Sequence, residues 1–300
     1  MSRAGSRSLM RAIGWFILVS LSPIATARAQ SLPKSKLEGK SATTGSTDVA
    51  EEGFQTAKER EAEADDATEV SISGGGLVAS GNSKQVAFTG SATLRLKRSE
   101  HQFSAAAAGN FARAATKQEP GLTTTVANQQ GRLRYDYFLS ERWSLFLQTS
   151  GRRDRFQGLA FRLNVDPGVA HYFVQDKGLR LWVELGYDYQ YDVRLSETIE
   201  AASAAGDPIS RTNSIHSARA FAGYESKVNK AVTFSTGLEY LQSVEQSNGY
   251  RLNWESAVTS SLAGNFSTAT TFSVRYDNDP LPGIEKLDLL TAFNLVYTLL

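Results

Sequence analysis

Between Leu179 and Tyr191 the chain alternates without a break. Leu179, Leu181, Val183, Leu185, Tyr187, Tyr189 and Tyr191 fall on one side. Arg180, Trp182, Glu184, Gly186, Asp188 and Gln190 fall on the other. A period of two dictates a β-strand with one apolar and one largely polar face. The apolar face is graded along its length, aliphatic at first and then tyrosine. That gradient suits a strand crossing a bilayer at a tilt, with its rings at headgroup level. Its length is close to the ~9–11 residues such a crossing needs.

The pattern recurs to the end of the chain. Leu133, Tyr135, Tyr137 and Leu139 repeat it, as do Trp143, Leu145 and Leu147. So do Leu287, Leu289, Phe293, Leu295, Tyr297 and Leu299 at the C-terminal end. From Glu69 onward the alternation predicts about twelve strands. The connections after even strands are short turns. Those after odd strands include long ones, over 114–127, 192–214 and 277–286. Short turns on one side and long loops on the other mark an outer-membrane barrel. An even strand count puts both termini on the periplasmic side. A soluble sandwich or lipocalin-like barrel also alternates, but it turns its polar face to water. Past Lys97 no strand interior carries a lysine, as expected of a lumen face rather than a soluble surface. The expected fold is therefore all-β: a single up-and-down antiparallel transmembrane β-barrel over residues 69–300.

The N-terminal residues read as an address. Arg3, Arg7 and Arg11 precede a short apolar core from Ile13 to Leu21, and Ala27-Arg28-Ala29 forms a cleavage site. Residues 1–29 are thus expected to be a signal peptide. Residues 30–68, rich in Ser, Thr, Lys and Glu, read as a flexible or partly helical periplasmic segment. Loss of the four arginines in 1–29 leaves 28 basic against 31 acidic residues, a charge of −3 in place of +1. That balance gives no bias toward nucleic acid. The absence of cysteine excludes a lipid anchor, disulfides and thiolate metal sites. The mean hydropathy of −0.30 is compatible with a barrel, where only alternate residues meet lipid. The expected location is the outer membrane of a Gram-negative bacterium. The expected partners are outer-membrane lipid, lipopolysaccharide and the barrel-assembly machinery.

Local motifs narrow this further. Arg153-Asp154-Arg155-Phe156-Gln157-Gly158-Leu159 runs on to Arg162 and then Pro167-Gly168-Val169. Before it stands Tyr135-x-Tyr137-Phe138-Leu139-Ser140-x-Arg142-Trp143. Ser80-Gly81-Asn82-Ser83 and Pro282-Gly283 with Asp288 complete the set. In these motifs the chain resembles the salt-stress-induced outer-membrane protein family (YdiY-like) over about residues 70–300. The resemblance implies a Gram-negative outer-membrane barrel and brings no catalytic residue, ligand or cofactor. One departure from the usual barrel pattern is the end Tyr297-Thr298-Leu299-Leu300, where assembly signals often finish in Phe.

Parity predicts the lumen lining. Arg132, Arg134, Arg162, Arg180, Arg219, Arg251 and Arg275 face inward, with Asp136, Glu184, Asp188, Glu239 and Glu255. Arg95, Asp166, Glu225 and Asp288 join them, which makes the signs equal in number. Two functions follow from such a face. One is a narrow, weakly selective channel for small hydrophilic solutes. The other is a non-transporting structural barrel of the envelope, its lumen filled by ion pairs and its role linked to osmotic or salt stress. Arg162 is expected among carboxylates, either Asp154 or an acid of the next strand such as Asp188. Asp277-Asn278-Asp279 offers hard oxygens for calcium but more often makes a plain turn. Gly74-Gly75-Gly76 marks a bend or a close approach. His101, His171 and His216 are far apart in sequence, and no nucleophile or metal set accompanies them. No enzyme, cofactor or metal site is expected.

Overall fold

The computed structural model describes residues 66–79, 84–115, 121–176, 178–280 and 285–299. Twelve strands close into one barrel in which each is hydrogen-bonded to its neighbours in sequence, and β1 meets β12. They are β1 (Asp66–Ala79), β2 (Lys84–Arg98), β3 (His101–Ala115), β4 (Thr123–Ser140), β5 (Trp143–Asp154), β6 (Leu159–Asp176), β7 (Leu179–Arg194), β8 (Thr212–Lys227), β9 (Val232–Ser243), β10 (Tyr250–Ser261), β11 (Phe266–Asp277) and β12 (Leu287–Thr298). The closing seam pairs Ser71 to Gly74 with Thr298 to Leu295. A Cβ on Gly75 would lie 2.6 Å from the carbonyl oxygen of Phe293, so the Gly-rich run lets β12 approach closely. The four seam pairs join the two end strands and close the sheet, as a sheet in lipid requires. No helix among the described residues is long and apolar enough to cross a membrane.

Exposed and buried side chains alternate around the barrel. Leu133, Leu145, Leu147, Leu185, Leu238 and Leu289 stand exposed on the outside. Rings gather above and below this aliphatic band. Near the short turns lie Tyr135, Tyr137, Trp143, Phe173 and Phe266, and near the other end lie Phe161, Tyr187 and Tyr240. This is the outward profile of a bilayer-spanning barrel with two aromatic girdles. The histidines belong to the outer surface as well. His101 packs on Tyr135 and Tyr137, His171 on Trp143 and Phe173, and His216 on Tyr187 and Tyr189.

Several strands are longer than alternation alone predicted. β4 and β6 each run for 18 residues, well beyond a bilayer crossing. β7 continues to Arg194 and β8 starts at Thr212, so Asp192 is a strand residue and not part of a loop. The connection between β3 and β4 shrinks in the same way. Cross-strand pairing keeps polar residues in the ladder where their composition resembles a loop. β1 opens at Asp66, ahead of Glu69. The expected signal peptide lies outside the described residues, as do residues 30–65, 80–83, 282–283 and 300.

The loop between β7 and β8 carries α1 (Ser196–Ala204). Glu197 in its first turn and its alanines favour the helix. α1 sits beside a single 3-10 turn, Arg155–Gln157, between β5 and β6. Leu195 donates its N–H to the carbonyl of Gly158 (2.9 Å), and Arg155 reaches Glu197 (3.3 Å). Gly158 has φ +71°, and a Cβ there would lie 2.7 Å from Thr198 Oγ1. Both facts call for glycine.

Candidate functional site: the barrel interior

The interior is built in layers from inward residues of β4 to β10. The layer nearest the short turns is aromatic. Phe146, Tyr172 and Trp182 are buried with Ala170, and Phe138 and Phe221 pack against them. Their room comes from glycine. Phe146 faces Gly168 and Trp182 faces Gly223 across the ladder. A Cβ on either glycine would enter the facing ring, and one on Gly237 would lie 2.8 Å from Phe221. The rings thus lie flat against bare backbone.

A chain of charges covers these rings. Asp136 accepts from two nitrogens of the Arg134 guanidinium, from Nε at 3.0 Å to each oxygen and from Nη2 at 2.8 Å. Arg134 Nη1 also donates to Glu184 (3.1 Å). Arg219 donates to Glu184 (2.9 Å) and to Glu239 (2.7 Å), and Asn253 completes Glu239 (2.8 Å). The chain joins β4, β7, β8, β9 and β10. The guanidinium of Arg134 sits 4.1 Å from the Phe146 centroid, and Arg219 lies 5.6 Å from both Phe146 and Phe221. A cation over a ring face in a dry interior is favourable. The Arg219 side chain has 0% exposure, so every charge near it must be met by protein.

Toward the long loops the pairing continues. Asn164 donates to Asp188 (2.6 Å), and Arg251 reaches both Asp188 (3.3 Å) and Gln190. Arg162 forms a bidentate pair with Asp192, at 2.7 and 2.8 Å. Of the two expected partners, the structure has an acid of the next strand and not Asp154. That acid is Asp192, two inward positions beyond Asp188, because β7 extends past the assumed loop start. Asp154 pairs with Arg152 instead (2.8 Å). Gln157 crosses the mouth to Asp288 of β12 (3.2 Å). Register shifts in β5 and β6 flank its turn.

Of the other residues singled out by parity, Arg180 approaches Glu225 (3.7 Å) and stacks over Trp182 (5.0 Å). Glu255 is buried and accepts from Ser273 (3.4 Å). Arg132 and Arg275 line a cavity of about 250 Å³. This cavity lies in the half of the barrel nearer the long loops, lined by Gln148, Asp166 and Phe221 among others and by Lys286 of the β11–β12 loop. Its basic residues are Arg132, Arg152, Arg162, Arg251, Arg275 and Lys286. Asp166, Glu239, Glu255, Asp277, Glu285 and Asp288 balance them one for one. The opposite wall is small and hydroxylic. Ser71 bonds Thr93 and Ser73 bonds Ser91, both at 2.6 Å. At Asp277-Asn278-Asp279 the Asp277 carboxylate takes the Asp279 N–H (3.0 Å), as in a plain turn. Among the described residues no group of three or more His, Cys, Asp or Glu is placed to hold a metal.

Sequence reasoning missed the aromatic layer. Trp182 falls on the polar face by parity, and Phe146 and Phe221 share that parity, so the signal was present but no ring layer was read from it. It also missed Asp192, whose even number follows Asp188 and Gln190.

Solved structures resemble the fold at low identity. A NanC porin has 11% identity and a TM-score of 0.47, with 77% of this chain and 100% of that chain covered. An outer membrane channel of Pseudomonas putida F1 has 12% identity and a TM-score of 0.42, with 78% and 96% covered. The translocator domain of autotransporter NalP from Neisseria meningitidis has 10% identity and a TM-score of 0.39, with 77% and 86% covered. None of the curated proteins matches the chain. A family model does match, over residues 72–299, and with this span the chain belongs to the DUF481 family, described as proteins of unknown function.

Proposed function

We propose that the protein is an outer-membrane barrel of the Gram-negative envelope whose lumen is braced closed by paired charges. In this reading residues 1–29 direct export and both termini lie in the periplasm. The apolar belt meets lipid and lipopolysaccharide, and the barrel-assembly machinery inserts it. No catalytic step is part of this role.

The observation that carries the reading is Arg219, which has 0% exposure and is held between Glu184 and Glu239. An open, water-filled lumen leaves its lining wet. Here Trp182, Glu184, Asp188, Gln190 and Asp192 of β7 are all buried. Ser267, Ala269, Thr271 and Ser273 of β11 are buried too. Near-neutral pairing also speaks against a pore that selects by charge.

A second reading, a narrow and weakly selective channel for small hydrophilic solutes, draws on one feature. Ser73, Thr89, Ser91, Thr93 and Ser104 face inward on β1 to β3 and are only half-buried. A thin hydroxyl-lined path along that wall would pass small neutral solutes. Liposome swelling and planar-bilayer recording of the refolded protein separate the two. The braced barrel excludes small sugars and shows no discrete conductance at high salt. Rapid sugar uptake with unitary conductance steps overturns it in favour of the channel.

A further inference from the structure

The cavity on the long-loop side contains polar atoms that nothing in the barrel satisfies. Gln148 is 6% exposed and Asp166 is 5% exposed. Gln148 gives its Nε2 hydrogen to Asp166 Oδ2 (3.2 Å), which leaves Gln148 Oε1 without a donor. Asp166 itself shares a side-chain hydrogen bond with Asp188, which also accepts from Asn164 and Arg251. Gln130 adds the converse, an Nε2 donor with no acceptor. Both glutamines line the same space. Buried polar groups in folded proteins are almost always hydrogen-bonded, so a set of orphans around one cavity points to an occupant.

The chemistry of the occupant follows from what is missing. One acceptor asks for an O–H or N–H donor, and one donor asks for an acceptor; a hydroxyl supplies both. A full positive charge would meet the arginines of the lining, and a full negative charge would meet Glu239 and Glu255. Phe221 and Leu241 give the same space an apolar patch, suited to the C–H face of a saturated ring. The volume of about 250 Å³ lies just under the ~300–1,000 Å³ of drug-sized pockets. We propose that this cavity binds one neutral polyhydroxylated solute of monosaccharide size. The inference concerns the cavity alone and holds whether or not solutes cross the barrel.

Titration calorimetry of the full barrel in detergent tests it, with D-glucose, D-galactose and myo-inositol as neutral probes and D-glucuronate and D-glucosamine as charged ones. At least one neutral probe is expected to give saturable heat, with affinity tenfold or more above either charged probe. Gln148→Leu should weaken that binding at least tenfold while the compact gel band of the unheated protein persists. Gln130→Leu, at a half-exposed position, carries the same expectation should Gln148→Leu fail to fold. Absence of saturable heat with all three neutral probes overturns the proposal. So does preference for a charged probe, or unchanged affinity in the folded variants.

Discussion

The indole of Trp182 lies against the Cα of Gly223, its register partner on the neighbouring strand. The three atoms that a Cβ on Gly223 would meet first all belong to that indole. Gly223→Val should therefore overpack the layer, at a cost of about 1–3 kcal/mol. The measurement is the temperature at which the compact band on an SDS gel converts to the unfolded one. Trp182→Leu in the same chain should recover most of the loss, since the added methyls then enter the vacated space.

Arg219 binds two carboxylates from different strands in a dry setting. Arg219→Ala leaves Glu184 and Glu239 short of a counter-charge, and breaking such a pair costs roughly 3–5 kcal/mol. The compact band should be lost at a lower temperature, and conductance in planar bilayers should exceed that of the native barrel. A variant that is equally stable and no more conductive would deny Arg219 a bracing role.

Arg162 and Asp192 offer a double-mutant cycle. Their side chains are 20% and 6% exposed, and the pair is bidentate. Arg162→Ala and Asp192→Asn should each destabilise, and together by less than their sum, with a coupling of about 0.5–3 kcal/mol. Asp154→Asn should couple to Arg162→Ala more weakly, because Asp154 is held by Arg152.

Leu185 tests the lipid face. It is 61% exposed and sits midway along β7 between the two girdles. Leu185→Arg should cost about 2–4 kcal/mol, the value for a cation near the bilayer midplane of a barrel. Leu185→Phe should be close to neutral. The native barrel should resist SDS until boiled and stay with membranes in carbonate. Identical migration before and after heating would remove the membrane reading.

Gly158 holds a left-handed turn against α1. Gly158→Ala costs about 1–2 kcal/mol for the backbone alone, and its Cβ also meets Thr198. The expected result is faster proteolysis of the β7–β8 loop in intact cells or proteoliposomes, with little change in the melting of the barrel.

The alternation of apolar and polar residues determined the fold class, the twelve strands and the direction of nearly every side chain. This is local information: a strand's period of two is written in consecutive residues, and Leu179 to Tyr191 display it without reference to anything else. Parity alone put Arg134, Asp136, Glu184 and Arg219 on the inner face. Strand ends were less legible, because Asp192 and Arg194 have loop-like character and stay in the ladder only through their partners on β8 and β6.

What the inner face does was decided by closure. Arg134 and Glu184 are 50 positions apart in the chain and Gln157 and Asp288 are 131 apart. They meet because twelve tilted strands share one narrow interior. The stagger between strands sets which layers coincide, and no local pattern records that stagger. The same holds for Phe146 and Trp182, whose parity was visible but whose resting places on Gly168 and Gly223 belong to neighbouring strands. Sequence periodicity sets which way a residue points; only the closed barrel sets what it meets there.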